Sequence, residues 1–539
     1  MMQSLPSFLI FWAVWILIPI LVDGFDLIYH LIVVTFFKRP VPRHEYRDED
    51  LPTISVIVPA HNEEYTVDRV INSLKVQDYP HDRLEVIVVD DGSTDGTAEL
   101  VQEHVNGNGN GKNGKNGNGI KINGKFIPVG DFTGVVKLMT KGKSGKASAL
   151  NTGIDVAHGD IIINIDADVV LAPGCLRATA EAFANDKTLA AATGNIRISW
   201  DIVEERDDNG DLVLDDEGRP VTRTLGGHEM WLARCQFLEY LSAFSLGREA
   251  QDATRTMYTL AGAYSAFRRD IIKGHDRYRQ MTVSEDTDLT LDIHQRKEGR
   301  VGFVREAVVY VEPLLDWDEL YAQRVRWHRG QIEVCAAHQQ IIANRTFGPI
   351  GTFGLPKMLL VDHSMAFPRL IWILLLPVLI AFGYSASLIF WAIVVMYGFY
   401  LTTELAHALV ERLLVDHDTK PAVRGSLATA LSMPLYRFVL FYFRLAGYLD
   451  AMLEPPTWTV RGPIDRTRGA VRAVQTAIFV SWGGFMSHFS ALRPVGSLAA
   501  LARGFASARR VALRLAPLAV IAMIAAMLLF GGITQALGR

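Results

Sequence analysis

Residues 84–102 read LEVIVVDDGSTDGTAELVQ, and their pattern decides the fold class. A short Val/Ile run ends in the acidic turn Asp90-Asp91-Gly92, and a helical pattern follows. Residues 54–64, ISVIVPAHNEE, lead in the same way into the amphipathic stretch VDRVINSLKVQ at 67–77. FTGVVKLM (132–139), IIINIDADVV (161–170) and AAATGNIRIS (190–199) add strands with helical stretches between them. Apolar strands alternating with helices predict an α/β domain with a mainly parallel sheet covered on both faces. In such sheets ligands bind beyond the carboxyl ends of the strands. The unusual polar residues collect at those ends.

The flanks have a different character. The chain has 539 residues, 49% of them hydrophobic and only 21% charged, so a catalytic-sized domain is expected to share it with something more apolar. A net charge of −4 supplies no basic field for nucleic acid. Cys175, Cys235 and Cys335 lie far apart, which argues against a disulfide framework or zinc site and fits a reducing compartment. Residues 7–37 are almost wholly apolar apart from Asp23 and Asp26, and read as a retained membrane helix. Lys38, Arg39, Arg43 and Arg47 then place the following residues in the cytoplasm. Residues 367–384, 387–410 and 513–532 read as further spans. Stretches 427–453 and 473–492 fit interfacial or re-entrant helices as well as crossings. The expected divisions are 1–50, a membrane helix with a basic flank; 51–345, the α/β domain; and 346–539, membrane and interfacial helices. Within the α/β domain, the Asn-Gly tract 106–119 reads as a disordered insert and 201–224 as a protruding hairpin.

Four motifs carry chemistry. Lys141-Gly-Lys-Ser-Gly-Lys146 looks like a phosphate loop, but Thr140 and Ala147 stand where a Walker A motif needs Gly and Ser or Thr, which excludes that NTPase class. Its Gly-rich backbone and lysines can still meet a diphosphate. Asp166 and Asp168 are two apart at a strand end, so their carboxylates share a side; hard oxygen ligands favour Mg2+ or Mn2+. Asp286, after Ser284-Glu285, is either a helix-start carboxylate or a general base. Gln323-Arg324-Val325-Arg326-Trp327 offers guanidinium forks for phosphate and an indole for stacking. By itself this pentapeptide also fits a basic helix lying on anionic headgroups.

Taken in order, Asp90-Asp91-Gly92, Asp166-x-Asp168, Glu285-Asp286 and Gln323-x-x-Arg326-Trp327 resemble the processive family 2 glycosyltransferases, the group of cellulose, chitin, hyaluronan and poly-N-acetylglucosamine synthases. Pro59-Ala-His-Asn-Glu63, Gly145-Lys146-Ala147 and Gly262 with Arg268-Arg269 match as well. The resemblance covers about 51–345 and implies a GT-A type nucleotide-sugar-binding domain embedded between transmembrane helices. It implies that Pro59, Glu63, Asp90 and Asp91 hold the uridine and that Lys146 lies near the nucleotide. Asp168, aided by Asp166, would bind Mg2+ or Mn2+. Asp286, beside Glu285, would deprotonate the acceptor hydroxyl. Gln323, Arg324 and Arg326 would grip the diphosphate or acceptor sugar, and Trp327 would stack on the terminal sugar. The implied donor is a UDP-sugar, UDP-GlcNAc or UDP-Glc, and the acceptor a growing polysaccharide or a membrane lipid. Thr287 falls where hyaluronan synthases carry Arg, which argues against hyaluronan. Single addition to a lipid, as in ceramide glucosyltransferases, is the nearest rival activity; a membrane-anchored nucleotide-sugar sensor is a rival of another class. Export partners stay open.

Overall fold

The computed structural model describes residues 18–37, 46–106 and 119–453, apart from short stretches within 123–131, 201–222 and 275–281 and positions 365 and 382. Among the described residues there are ten strands: β1 (Ile54–Ala60), β2 (Leu84–Asp91), β3 (Gly119–Ile122), β4 (Lys125–Pro128), β5 (Val135–Lys141), β6 (Ile161–Ile165), β7 (Val170–Leu171), β8 (Leu189–Ile198), β9 (Tyr264–Arg268) and β10 (Arg300–Val311). Eight form one sheet in the order β5-β2-β1-β6-β9-β8-β10-β7, and β3-β4 make a separate hairpin.

The first half of the sheet follows from the sequence periods. Val56 and Val58 of β1 enter one core and Ile57 the other; Val86 and Val88 against Ile87 and Val89 repeat this in β2. Side chains alternate across a strand, so runs that are apolar at every position need cover on both faces. β5, β2, β1 and β6 are parallel, with Val56 opposite Val86 and Val86 opposite Val136. In the second half the expectation of a mainly parallel sheet is corrected. β9 runs antiparallel to both β6 and β8, and β7 antiparallel to β10, so the sheet is mixed. The reason is the intruding β9: its sequence, YSAFR, lacks the Val/Ile run that marks β1, β2 and β6, yet it sits between two strands whose burial on both faces mimics parallel neighbours. The parallel half aligns its carboxyl ends, with Ala60 beside Asp90 and Asp91 beside Lys141.

The chain divides into two compact units, one of residues 12–364 with 394–460, the other of 1–11, 365–393 and 461–539. The first unit holds the sheet and extends past residue 345. In it the Met433–Leu453 helix lies against the Trp317–Ala337 helix. A Cβ on Gly447 would stand 2.9 Å from the Val325 carbonyl oxygen, so only glycine permits this approach. Asp23, on the Ile18–Ile32 helix, accepts a hydrogen bond from Tyr400 at 2.7 Å, which satisfies a carboxylate in an apolar segment.

Among the described residues one helix, Ala386–Leu414, is long and apolar enough to cross a bilayer. The Ala366–Ala381 helix has 16 residues. Lys420–Ser426 and the helix after it form a pair bent by 50°, the shape of a broken span or a re-entrant segment. Residues 7–17 of the first expected span, the expected span at 513–532, the 473–492 stretch and most of the 106–119 insert lie outside the described residues. Of the 201–224 hairpin, the described flanks pair: the Glu205 N–H donates to the Val221 carbonyl at 2.7 Å and the Arg223 N–H to the Val203 carbonyl at 3.2 Å.

Candidate active site

The turns after β1 and β2 are sewn together by their own polar side chains. Asn62, at φ 58°, accepts the Thr94 N–H at 2.9 Å and donates its N–H to the Ser93 hydroxyl at 3.0 Å. Asp95 accepts the Glu64 N–H at 3.2 Å, and Glu64 accepts the Gly96 N–H at 3.0 Å. Ser93 and Thr94 therefore bridge the two turns instead of capping the Thr97–Val105 helix. Asp90 is buried and accepts the Ser93 N–H at 3.0 Å. Pro59 lies opposite Val89 near the end of β1. Glu63 accepts the Thr66 hydroxyl at 2.5 Å, and burial raises its carboxyl with further upward pressure from Asp166.

Asp91 is fully engaged by the basic loop. It accepts the Ser144 N–H at 3.0 Å, the Ser144 hydroxyl at 2.8 Å and the Gly145 N–H at 2.7 Å. Burial opposes its charge, but these bonds hold its carboxyl below the usual value. The docking requires Gly92 at φ +73°, because a Cβ there would stand 2.7 Å from the Lys143 nitrogen. Asp91 thus anchors the loop that delivers Lys146 to the cleft.

Lys146 opens its helix (Lys146–Val156) and joins the remaining carboxylates. Its ammonium lies 2.5 Å from Asp166 Oδ1 and 3.8 Å from Glu285 Oε1. Burial works against the charge, yet Asp166, Glu285 and Asp286 together hold the ammonium well above its ordinary value. Gly262, in the turn before β9, leaves open the point on which these groups converge. A Cβ there would be 3.4 Å from Asp286 Oδ2, 3.4 Å from Lys146 Nζ and 4.0 Å from Asp166 Oδ2. Burial pushes the Glu285 carboxyl up to about 7, with Asp286 adding to the rise and Lys146 opposing it. Asp286 is raised as well, by burial first.

Asp168 lies at the rim of this cleft. Its side chain keeps solvent contact, yet crowding by the cleft walls and then Asp166 and Glu63 push its carboxyl up to about 7. Among the described residues no group of three or more His, Cys, Asp or Glu side chains is arranged to hold a metal alone. Asp166 and Asp168 fit the other common arrangement, in which one or two carboxylates bind Mg2+ together with substrate phosphate oxygens.

The Trp317–Ala337 helix is capped by Asp316, which accepts the Asp318 and Glu319 N–H groups at 2.7 and 3.1 Å. It separates the pentapeptide's residues. Arg324 is 2% exposed and points inward: its Nη2 lies 2.8 Å from Glu239, which also accepts the Tyr436 hydroxyl at 2.7 Å. Its guanidinium stacks 4.2 Å from the Trp327 ring centre, and Gln323 accepts a further Arg324 bond. Arg324 is therefore spent on Glu239 and Trp327 and does not face the cleft. Half-buried Arg326 makes no hydrogen bond or ion pair among the described residues and remains open to an anion. Trp327 is also met edge-on by Phe244, at 5.9 Å.

Two supporting carboxylates have partners that the sequence does not announce. Glu239 lies in an unremarkable helical pattern, and nothing local announces its partner 85 residues on. Asp288 was visible as one more acid in EDTDLT, but only the fold shows it held by Arg279 at 2.8 Å and His338 at 2.9 Å. Burial opposes its charge, and these partners hold its carboxyl below the usual value.

Residues 55–274 match the model of the family described as glycosyl transferase family 2, and residues 225–403 that of glycosyl transferase family group 2. The chain is similar to the probable glycosyltransferase YdaM of Bacillus subtilis, 26% identical over 313 residues, 56% of this chain and 63% of the relative. It is also similar to the poly-beta-1,6-N-acetyl-D-glucosamine synthase of Staphylococcus aureus, 25% identical over 286 residues, 53% of this chain and 56% of the relative. The chain thus matches less than two thirds of either relative's length. Among solved structures it is similar to the mannosyltransferase PcManGT of Pyrobaculum calidifontis in complex with GDP-Man and Mn2+, with 18% identity, TM-score 0.49, 82% of this chain and 98% of that one covered. A second is Staphylococcus aureus TarS in complex with UDP, with 16% identity, TM-score 0.33, and 73% and 91% covered. The two family matches overlap at residues 225–274 and together take in the mixed α/β sheet. Across residues 55–403 the chain therefore matches the glycosyl transferase family 2 and family group 2 models, and this region is similar to known glycosyltransferases.

Proposed function

We propose that this chain is a membrane-embedded, inverting and processive β-glycosyltransferase that polymerises sugar from UDP-GlcNAc or UDP-Glc into an exported polysaccharide. The observation that carries this reading is the convergence of Asp286 Oδ2, Lys146 Nζ and Asp166 Oδ2 on the space left open at Gly262. A base, a cation and a metal-type carboxylate around one point suit transfer of a sugar from a diphosphate to a hydroxyl. The similarity to a poly-beta-1,6-N-acetyl-D-glucosamine synthase supports a polymer and an N-acetylglucosamine donor. The Ala386–Leu414 helix supports a seat in the membrane; the proposal further takes the chain to cross several times, with the cleft on the cytoplasmic side by the basic cluster Lys38, Arg39, Arg43 and Arg47.

In this mechanism Pro59, Glu63 and Asp90 border the nucleotide pocket, and Asp91, by binding the loop amides, anchors the loop that brings Lys146 to the donor. Asp166 and Asp168 would hold Mg2+ or Mn2+ with diphosphate oxygens, where the ion would neutralise the leaving group's charge. Arg326 supplies a further donor fork toward the diphosphate. Asp286 takes the proton of the acceptor hydroxyl on Oδ2. The hydroxyl attacks the anomeric carbon from the face opposite UDP, so an α-linked donor yields a β-linkage. Trp327, held by Arg324, offers an apolar face to the acceptor sugar.

UDP release from a panel of UDP-sugars, measured on the full chain in lipid with product sizing and linkage analysis, tests the proposal. A polymer from UDP-GlcNAc or UDP-Glc is expected, with turnover abolished by EDTA and restored by Mn2+ or Mg2+. A single sugar on a lipid would replace processivity with the lipid reading. No UDP release from any donor would overturn the assignment.

A further inference from the structure

The base helix, Glu285–Arg296, begins beside the Thr259–Gly262 turn, and two threonine hydroxyls stitch the two together. The Thr259 and Thr287 hydroxyl oxygens are 2.7 Å apart. The Leu260 N–H donates to the Thr290 hydroxyl oxygen at 3.0 Å, and that hydroxyl donates to the Asp286 carbonyl at 2.7 Å. Thr287 also serves the Asp286 carboxylate directly. Its N–H donates to Oδ1 at 2.7 Å, and its hydroxyl lies 3.3 Å from the same oxygen. The two carboxylate oxygens are thereby divided: Oδ1 faces back into the protein, while Oδ2 faces the open space at Gly262 and Lys146.

We infer that Thr287 and Thr259 are positioning residues for transfer, a hydroxyl pair that fixes the Asp286 carboxylate so that only Oδ2 meets the acceptor. The inference rests on the reading of Asp286 as the base. Each hydroxyl carries one proton, and the available partners permit two arrangements of them. With Asp286 ionised, Thr287 donates to Oδ1 and Thr259 donates to Thr287. Once Oδ2 has taken the acceptor proton, Oδ1 is a weaker acceptor. The Thr287 hydroxyl can then turn to Thr259, whose own proton has the Leu260 carbonyl at 2.9 Å as its partner. Both states of the base thus keep the pair satisfied without moving a heavy atom, which is the preorganisation that proton transfer requires. The rear of the turn is fixed by buried Arg248, which donates to the Thr259 carbonyl and stacks 5.6 Å from Phe244. The charged groups facing the cleft side are Lys146, Asp166 and Glu285.

The test compares Thr287→Val, Thr259→Val, the double variant and Thr287→Ser with Asp286→Asn, all in the full chain in lipid. Turnover is read as UDP released from the UDP-sugar that the wild-type chain uses, and nucleotide affinity is read with UDP and Mn2+ by calorimetry. Thr287→Val keeps shape and removes the hydroxyl. It is expected to lower kcat roughly ten- to a hundredfold, the scale of a small misplacement of a reacting group, with UDP affinity within about twofold. Thr287→Ser restores kcat, and the double variant is no slower than the worse single one, because the two hydroxyls act as a unit. Thr259→Val gives an independent result should Thr287→Val fold poorly. Normal kcat in either valine variant, or equal losses of kcat and UDP affinity, overturns the inference. Asp286→Asn separates the levels. If it abolishes turnover while the valine variants run normally, only the positioning role falls; if it turns over normally, the base assignment and this inference fall together.

Discussion

Asp286 and Asp288 lie two positions apart on one helix, and their carboxyls are driven in opposite directions. Asp286 is raised by burial. Asp288 is lowered because Arg279 and His338 meet it directly. A pair of acids whose surroundings push them apart marks which is available for proton transfer and which is structural. Asp286→Asn is therefore expected to reduce transfer by about 10²–10⁴-fold while UDP binding persists, as measured by turnover and calorimetry. Glu285 allows a pH prediction. Its carboxyl stands near 7 in the fold against 4.5 ordinarily, so it favours the folded state while protonated. That contribution is complete below about pH 4.5 and is lost as pH rises through about 7, a change on the order of 3 kcal/mol. Heat-unfolding midpoints are expected to fall between pH 5 and pH 8 in the wild type and to fall less in Glu285→Gln. Equal pH slopes in the two proteins would refute this.

At the scale of elements, the Trp317–Ala337 helix has two functions on two faces. One face is packed so closely that a Cβ on Gly330 would collide with the Ser284 hydroxyl and stand 2.7 Å from the Ser284 Cβ. Gly330→Ala is thus expected to displace the turn that carries Glu285 and Asp286, and to lower kcat with little change in UDP affinity. The other face buries Arg324 against Glu239 and under Trp327. Breaking a buried pair leaves an uncompensated charge, so Arg324→Met is expected to cost about 3–5 kcal/mol of stability. Arg326→Ala, which breaks no pair among the described residues, is expected instead to weaken donor binding with an unchanged unfolding midpoint. If the two variants behave alike, the division of labour assigned to this pentapeptide is wrong. In sequence the two arginines look equivalent. Their places on the helix decide between them, since residues two apart on a helix face different sides.

For the whole molecule, the Asn-Gly tract is bracketed by the end of the Thr97–Val105 helix and the start of β3. Nothing in its composition can build a core. Deleting 107–118 is expected to leave UDP release within a few fold of wild type, and loss of folded protein would contradict that. The α/β class, the alternation of strands between two cores and the order of the acidic motifs were all readable from local periods, because side-chain alternation and turn chemistry act over a few residues. Arrangements fixed by long-range packing were not. β9 inserts between β6 and β8 because β6 and β8 each have an open side there, a fact with no local signature. Asp91 turns to the loop amides, and Arg324 turns to a carboxylate 85 residues earlier, for the same reason. A side chain's partner depends on what the fold brings within hydrogen-bonding reach of it. Which residues are chemically able to serve the site is written in their local order; which of them face the cleft and which hold it open follows from the packing, because burial and pairing are properties of the packed chain.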